Sequence, residues 1–191
     1  IRLTGFLLFL SLLPNAAAAG ADSAYRTELA RRAAAAGLAE RREWQTLLHY
    51  RSAPNGDGMI SDADDPRFFL APNGKTDPHA ELAATLAAFF SADPVGGDPQ
   101  PAQCAFIARY HWLHAELTFD HRRLPPQSCA RFQHWRRELD ATAATLVFAS
   151  AYLNNPASLF GHTLLRLDRR GETEATRLLA YTINYAADDA N

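Results

Sequence analysis

Hydrophobic spacing changes its period once along this chain, near Thr142, and that change sets the fold class. Before it, apolar residues recur at three- and four-residue steps. Trp44, Leu47 and Leu48 form one such set, and Leu82, Leu86, Phe89 and Phe90 a second. Phe106, Tyr110, Leu113 and Leu117 form a third, and Phe132 with Trp135 a fourth. The spacing predicts helices over 21–39 (ending near Gly37), 40–50, from Asp77-Pro78 to Phe90, 104–117 and 129–139. Asp77 is suited to cap its helix and Pro78 to occupy the first helical position. Residues 22–140 therefore read as an all-helical layer, interrupted by Pro54-Asn55-Gly56-Asp57-Gly58, Gly96-Gly97-Asp98-Pro99 and Leu124-Pro125-Pro126. After Thr142, Thr145–Ala149, Thr163–Asp168 and Arg177–Ala186 read as strands, with a short helix after the first and a turn at Arg169-Arg170-Gly171-Glu172. The expected class is α+β.

The N-terminus reads as an export signal. Arg2 precedes the apolar run Gly5–Leu13, Pro14 breaks it, and Ala17-x-Ala19 fits a cleavage site. Residues 1–19 are then a signal peptide, the protein is periplasmic, and the mature chain starts near Gly20 or Ala21. The rival reading is a buried N-terminal helix. In an oxidising compartment the two cysteines, Cys104 and Cys129, read as one disulfide. It would close a loop of roughly 25 residues and stabilise by roughly 3 kcal/mol. The alternative is a catalytic thiolate. The chain lacks a starting Met and ends just after an apolar stretch, which reads as a piece of a longer protein with more to follow.

Composition excludes some classes. A net charge of −2 over 191 residues argues against a nucleic-acid partner. With 48% hydrophobic residues the chain carries enough apolar material for a core. No run of about 18 apolar residues exists, so nothing in the given sequence reads as a membrane-spanning helix.

Chemistry concentrates between Ser150 and His162. Asn155 can cap a short helix with Pro156 at its first position, which puts Ser158 in the first turn, where free N–H groups favour an anion. Gly161 allows a tight turn, and His162 then stands at the foot of a strand. A hydroxyl and an imidazole brought together there are a nucleophile and its general base. The plainer readings are that Ser150 ends a strand, Ser158 bonds to backbone, His162 bonds to a carbonyl and Asn184 satisfies a turn.

Asn154-Asn155-Pro-Ala-Ser-Leu-Phe-Gly-His-Thr-Leu-Leu-Arg166, with Tyr181-x-x-Asn184-Tyr185-Ala-Ala187, resembles the signature of the Lnb N-terminal periplasmic domain family. Asp64–Pro78, Glu81–Phe90 and Cys104-x-Phe-x-x-Arg-Tyr-x-Trp-Leu113 resemble the helical region that precedes this domain in proteobacterial members. The resemblance implies that 141–191 is the start of an Lnb-type α+β domain of papain-like, amidase or acyltransferase architecture. One branch of the family is associated with N-acylation of lipoproteins, transferring an acyl chain and leaving a lyso-phospholipid. That branch places a Cys shortly before Phe-Gly-His, where this chain has Ser150. The implied site is Ser150 as nucleophile with Ser158 as competitor, His162 as base and Asn184 as the group that orients the imidazole. The implied substrates are lipid, lipoprotein or envelope peptide, with outer-membrane association through a region beyond Asn191. The reading from another class is a non-catalytic module that binds lipid or docks an outer-membrane partner.

No cofactor is implied. His111-x-x-His114 with Asp120 and His121 is the nearest thing to a metal pattern, but no HExxH accompanies it and its neighbours look like packing. Asp57, Asp62, Asp64 and Asp65 are spaced too irregularly for a calcium loop and read as a solvated acidic loop. Trp44, Trp112 and Trp135 read as core.

Overall fold

A computed structural model describes residues 16–54, 56–149, 162–171, 173, 175–176 and 181–184. Of 16–22, 149, 162 and 184 it describes the backbone alone. The chain divides into two compact units, Ile1–Ser128 and Cys129–Asn191. It is mixed helix and antiparallel sheet, as the change of period predicts. The predicted signal peptide falls mostly outside the described residues, and its cleavage stretch lies in the first turns of helix α1 (Ala16–Ala35).

In the first unit, α1 ends at Ala35, and the chain leaves it through Gly37, whose φ of 61° is one that glycine adopts without a Cβ penalty. A 3-10 turn (Leu38–Glu40) and helix α2 (Arg42–Leu47) follow. The predicted helix over 40–50 stops early. His49 reverses the backbone at φ 56°, and Tyr50 enters a strand instead. Strands β1 (Tyr50–Ser52) and β2 (Met59–Ser61) pair antiparallel across the Pro54–Gly58 reversal. A second small hairpin joins β3 (Pro94–Val95) to β4 (Gln100–Pro101) across Gly96. The region is therefore not all-helical. Segments of two or three residues carry no detectable period, so their strand state is set by the glycine-rich reversals between them.

Helix α3 (Pro78–Ala88) starts as predicted. The Asp77 carboxylate accepts from the backbone N–H groups of His79 (3.0 Å) and Ala80 (2.9 Å), with Pro78 in the first turn. The predicted helix over 104–117 is two pieces, α4 (Ala102–Ala105) and α5 (Ile107–Leu117). Phe106, at φ −119° and ψ 51°, breaks it, and its ring takes the Arg109 guanidinium at 4.1 Å. The core joins Leu29 of α1, Leu38, Trp44 of α2, Leu86 of α3 and Leu113 and Leu117 of α5, all essentially inaccessible to water. Each such Leu stabilises by about 1.5–3 kcal/mol relative to exposure.

In the second unit, helix α6 (Ala130–Leu139) starts after Cys129, which is left-handed at φ 43°. Leu139 is buried, but Trp135 is 53% exposed, so the reading of all three tryptophans as core holds for Trp44 and fails for Trp135. The physical reason lies in the helix itself. Arg131, Arg136, Arg137 and Glu138 leave it little apolar surface on which a core could close. Strands β5 (Ala141–Ala149), β6 (His162–Arg169) and β7 (Tyr181–Asn184) form one antiparallel sheet in that order. Its register pairs Phe148 with Thr163, Leu146 with Leu165, and Leu165 in turn with Ile183.

Candidate functional site

Sheet register places the predicted site residues that the structure describes. His162 is the first residue of β6 and pairs with Ala149, the last of β5. Ser150 follows Ala149 in sequence, and it lies outside the described residues, as do Ser158 and the Asn155-Pro156 cap. Asn184, the last residue of β7, pairs with Leu164, two positions along β6 from His162. Positions 162 and 184 are thus diagonal neighbours on adjacent strands, a relation that in general spans about 7–8 Å. Strand parity gives positions 162, 164 and 184 one side of the sheet.

On the same side, toward the other end of β6, the described side chains form a polar network. The Arg166 guanidinium pairs with Asp168 at 2.6 Å, and the Thr145 hydroxyl donates to the second Asp168 oxygen. These groups satisfy one another, so the arrangement can hold the strands' register. The opposite side is apolar and open. Leu146, Phe148, Tyr181 and Ile183 lie between 50% and 72% exposed, and Arg169 stands over the Tyr181 ring at 6.0 Å. Leu165 and Leu167 are paired into the same row by register.

Neither cysteine is free. Cys104 and Cys129 are disulfide-bonded, which overturns the alternative of a catalytic thiolate. The acidic loop is ion-paired at its surface, Arg51 with Asp62 (2.6 Å), Lys75 with Asp64 (2.6 Å) and Arg67 with Asp65 (2.8 Å). Those partners hold the Asp64 and Asp65 carboxyls below their ordinary range. The His114 and His121 rings lie 4.9 Å apart with their planes tilted by 31°, and His114 Nδ1 accepts from the Phe119 backbone N–H at 3.1 Å. Burial first, then the neighbouring His121 and His111, lowers the His114 pKa. Among the described residues no group of three His, Cys, Asp or Glu side chains is arranged to hold a metal ion.

The most elaborate charged arrangement was not visible as a candidate in the sequence. Glu81 of α3 and Arg109 of α5 form an ion pair at 2.7 Å with side chains 0% and 3% exposed. The Glu81 carboxylate also accepts from the backbone N–H groups of Leu70 and Ala71, and Arg109 donates to the Phe68 carbonyl at 2.6 Å. Phe68 and Phe106 cover the guanidinium at 4.6 and 4.1 Å. Burial pushes the Glu81 carboxyl up and the Arg109 guanidinium down, while each partner and the two N–H groups on Glu81 pull toward the charged forms. With both groups enclosed, the pair is a structural clamp on the 68–74 loop. The spacing of 28 residues between the partners gives no local signal.

Comparison with known families divides the chain similarly. Residues 36–116 match a domain of unknown function, DUF7843. Residues 131–191 match the Lnb N-terminal periplasmic domain. No curated protein and no solved structure matches the chain. The strands carrying His162 and Asn184 fall inside the second match, so this part of the chain is similar to the Lnb N-terminal periplasmic domain family.

Proposed function

We propose that this is a periplasmic envelope protein whose Lnb-type domain, of papain-like architecture, performs acyl transfer or cleaves an amide or ester. The single observation that carries the reading is the strand register. His162 pairs with the residue just before Ser150, and Asn184 sits diagonally across the neighbouring strand. In this scheme the Ser150 hydroxyl, with Ser158 as the competing nucleophile, attacks a carbonyl carbon. His162 takes the hydroxyl proton and returns it to the departing amine or alkoxide. The acyl group, held on the serine, passes to water or to a second amine. Asn184 accepts the other imidazole N–H and fixes the tautomer. Lipid, lipoprotein N-termini and envelope peptides are the proposed substrates, with association at the outer membrane. The test compares hydrolysis of lipid and peptide esters by the full-length protein with that of His162→Ala. A loss of about 10²-fold or more is expected for removing a general base. Equal rates end the enzymatic reading.

One observation favours a second reading. An open apolar row of Leu146, Phe148, Tyr181 and Ile183, with Arg169 at its end, suits a non-catalytic module that binds lipid or docks an outer-membrane partner. Lipid binding that survives in His162→Ala, without turnover in either protein, is the outcome that selects it.

A further inference from the structure

We propose that Trp112 and the outer side of α2 form a binding site for a pyranose sugar, in the first unit and independent of the Lnb-type chemistry. The site is an open depression of about 570 Å³ lined by Arg42, Glu43, Thr46, Leu47 and Trp112. That volume lies within the usual range for small-ligand sites of roughly 300–1,000 Å³.

Its floor is held rigid from below. The half-buried Trp112 ring stacks on Trp44 at 5.7 Å and 23°. Trp44 is itself fully buried and donates its indole N–H to the Pro78 carbonyl at 3.1 Å. A ring fixed on one side presents its other surface to a ligand at little further entropic cost.

The rim is uncommitted. Some charged side chains of this unit are paired, as in Glu28 with Arg123 and Glu81 with Arg109. Among the described residues, the side chains of Arg42, Glu43 and Thr46 and the indole N–H of Trp112 have no hydrogen bond or ion pair. Arg42 and Glu43 are adjacent in the helix and do not face each other, so their opposite charges do not neutralise across the rim. The depression thus offers one apolar plane, a five-donor fork, a carboxylate acceptor and a hydroxyl. A pyranose has the matching chemistry, with C–H groups on its broad face and hydroxyls around its edge that both donate and accept.

The test titrates the tryptophan fluorescence of the full chain with a soluble β-1,4-linked N-acetylglucosamine oligosaccharide and with maltose. Glycerol serves as the control for a generic hydroxyl effect, and an acidic peptide as the control for a charge effect. A saturable change is expected with at least one sugar, with Kd on the order of 1 mM. Trp112→Ala is expected to weaken binding at least tenfold. Because that variant also removes the stack on Trp44, Arg42→Ala and Glu43→Gln are measured beside it. Each is expected to weaken binding at least threefold with an unchanged thermal midpoint. The proposal is overturned if the folded protein gives no saturable response to either sugar, or if Arg42→Ala and Glu43→Gln both bind as wild type. A response to the acidic peptide alone also overturns it.

Discussion

In the first unit, Glu81 and Arg109 are sealed from water and hydrogen-bonded both to each other and to the backbone around them. In the second, Leu146 and Phe148 stand more than 60% exposed on one side of a three-stranded sheet, while the other side carries Arg166 and Asp168. Each unit therefore places its costly groups differently. A buried ion pair is tolerated only where backbone donors and aromatic rings complete its surroundings, which the 68–74 loop and Phe106 supply. A sheet of three strands draws stability from its ladder and cross-strand pairs, and an uncovered hydrocarbon row adds little. Substitutions at enclosed positions should consequently cost far more than substitutions along that row.

The largest expected effect is at Arg109. Arg109→Leu strands the Glu81 carboxylate, and urea unfolding should show a loss of about 3–5 kcal/mol. A loss below about 1 kcal/mol would mean that the pair is not sealed. Next comes Gly74→Ala. An added Cβ would stand 2.3 Å from Glu81 Oε2 and 3.0 Å from Phe69 Cβ. Overpacking of this kind costs about 1–3 kcal/mol, readable as a lowered urea midpoint.

A smaller effect depends on pH. His114 titrates below its ordinary value, because burial and two neighbouring imidazoles disfavour its charged form. Above about pH 6.5 the imidazole is neutral folded and unfolded, and its contribution is fully present. As the pH falls below that, the unfolded chain takes the proton first and stability declines until the folded-state pKa is passed. Protonation at Nδ1 also removes the acceptor for the Phe119 N–H. His114→Asn, which keeps an acceptor but does not titrate, should flatten the midpoint-versus-pH curve between pH 7 and 5. An identical slope in the two proteins contradicts this. The smallest effect is at the open row, where Phe148→Ser should shift stability by no more than about 0.5 kcal/mol. A loss of several times that would show that Phe148 is covered.

How much the sequence disclosed depends on how far each signal reaches. The Asp77-Pro78 cap needs only adjacent residues, and it appears with both its backbone donors. The three strands of the second unit were announced by their apolar runs, with Gly171 at φ 73° serving the turn after β6. The hairpins at 50–61 and 94–101 were too short to carry a period. Trp135 looked like core because it recurs three residues after Phe132, but spacing alone does not supply a surface for it to pack against. Glu81 and Arg109 meet only once α3 and α5 are folded into one core, and no local pattern links them. Of the candidate site, the strand positions of His162 and Asn184 were legible, because β6 and β7 arise from local patterning. The choice between Ser150 and Ser158 rests on which hydroxyl approaches the imidazole, which spacing does not determine.

In the proposed function, His162 activates a serine hydroxyl of this domain. Labelling of the full-length protein with a fluorophosphonate probe tests it most directly. Covalent labelling of wild type is expected, abolished in His162→Ala and in one of Ser150→Ala or Ser158→Ala, with all three variants folded. Labelling that persists in His162→Ala, or none in the folded wild-type protein, would contradict it.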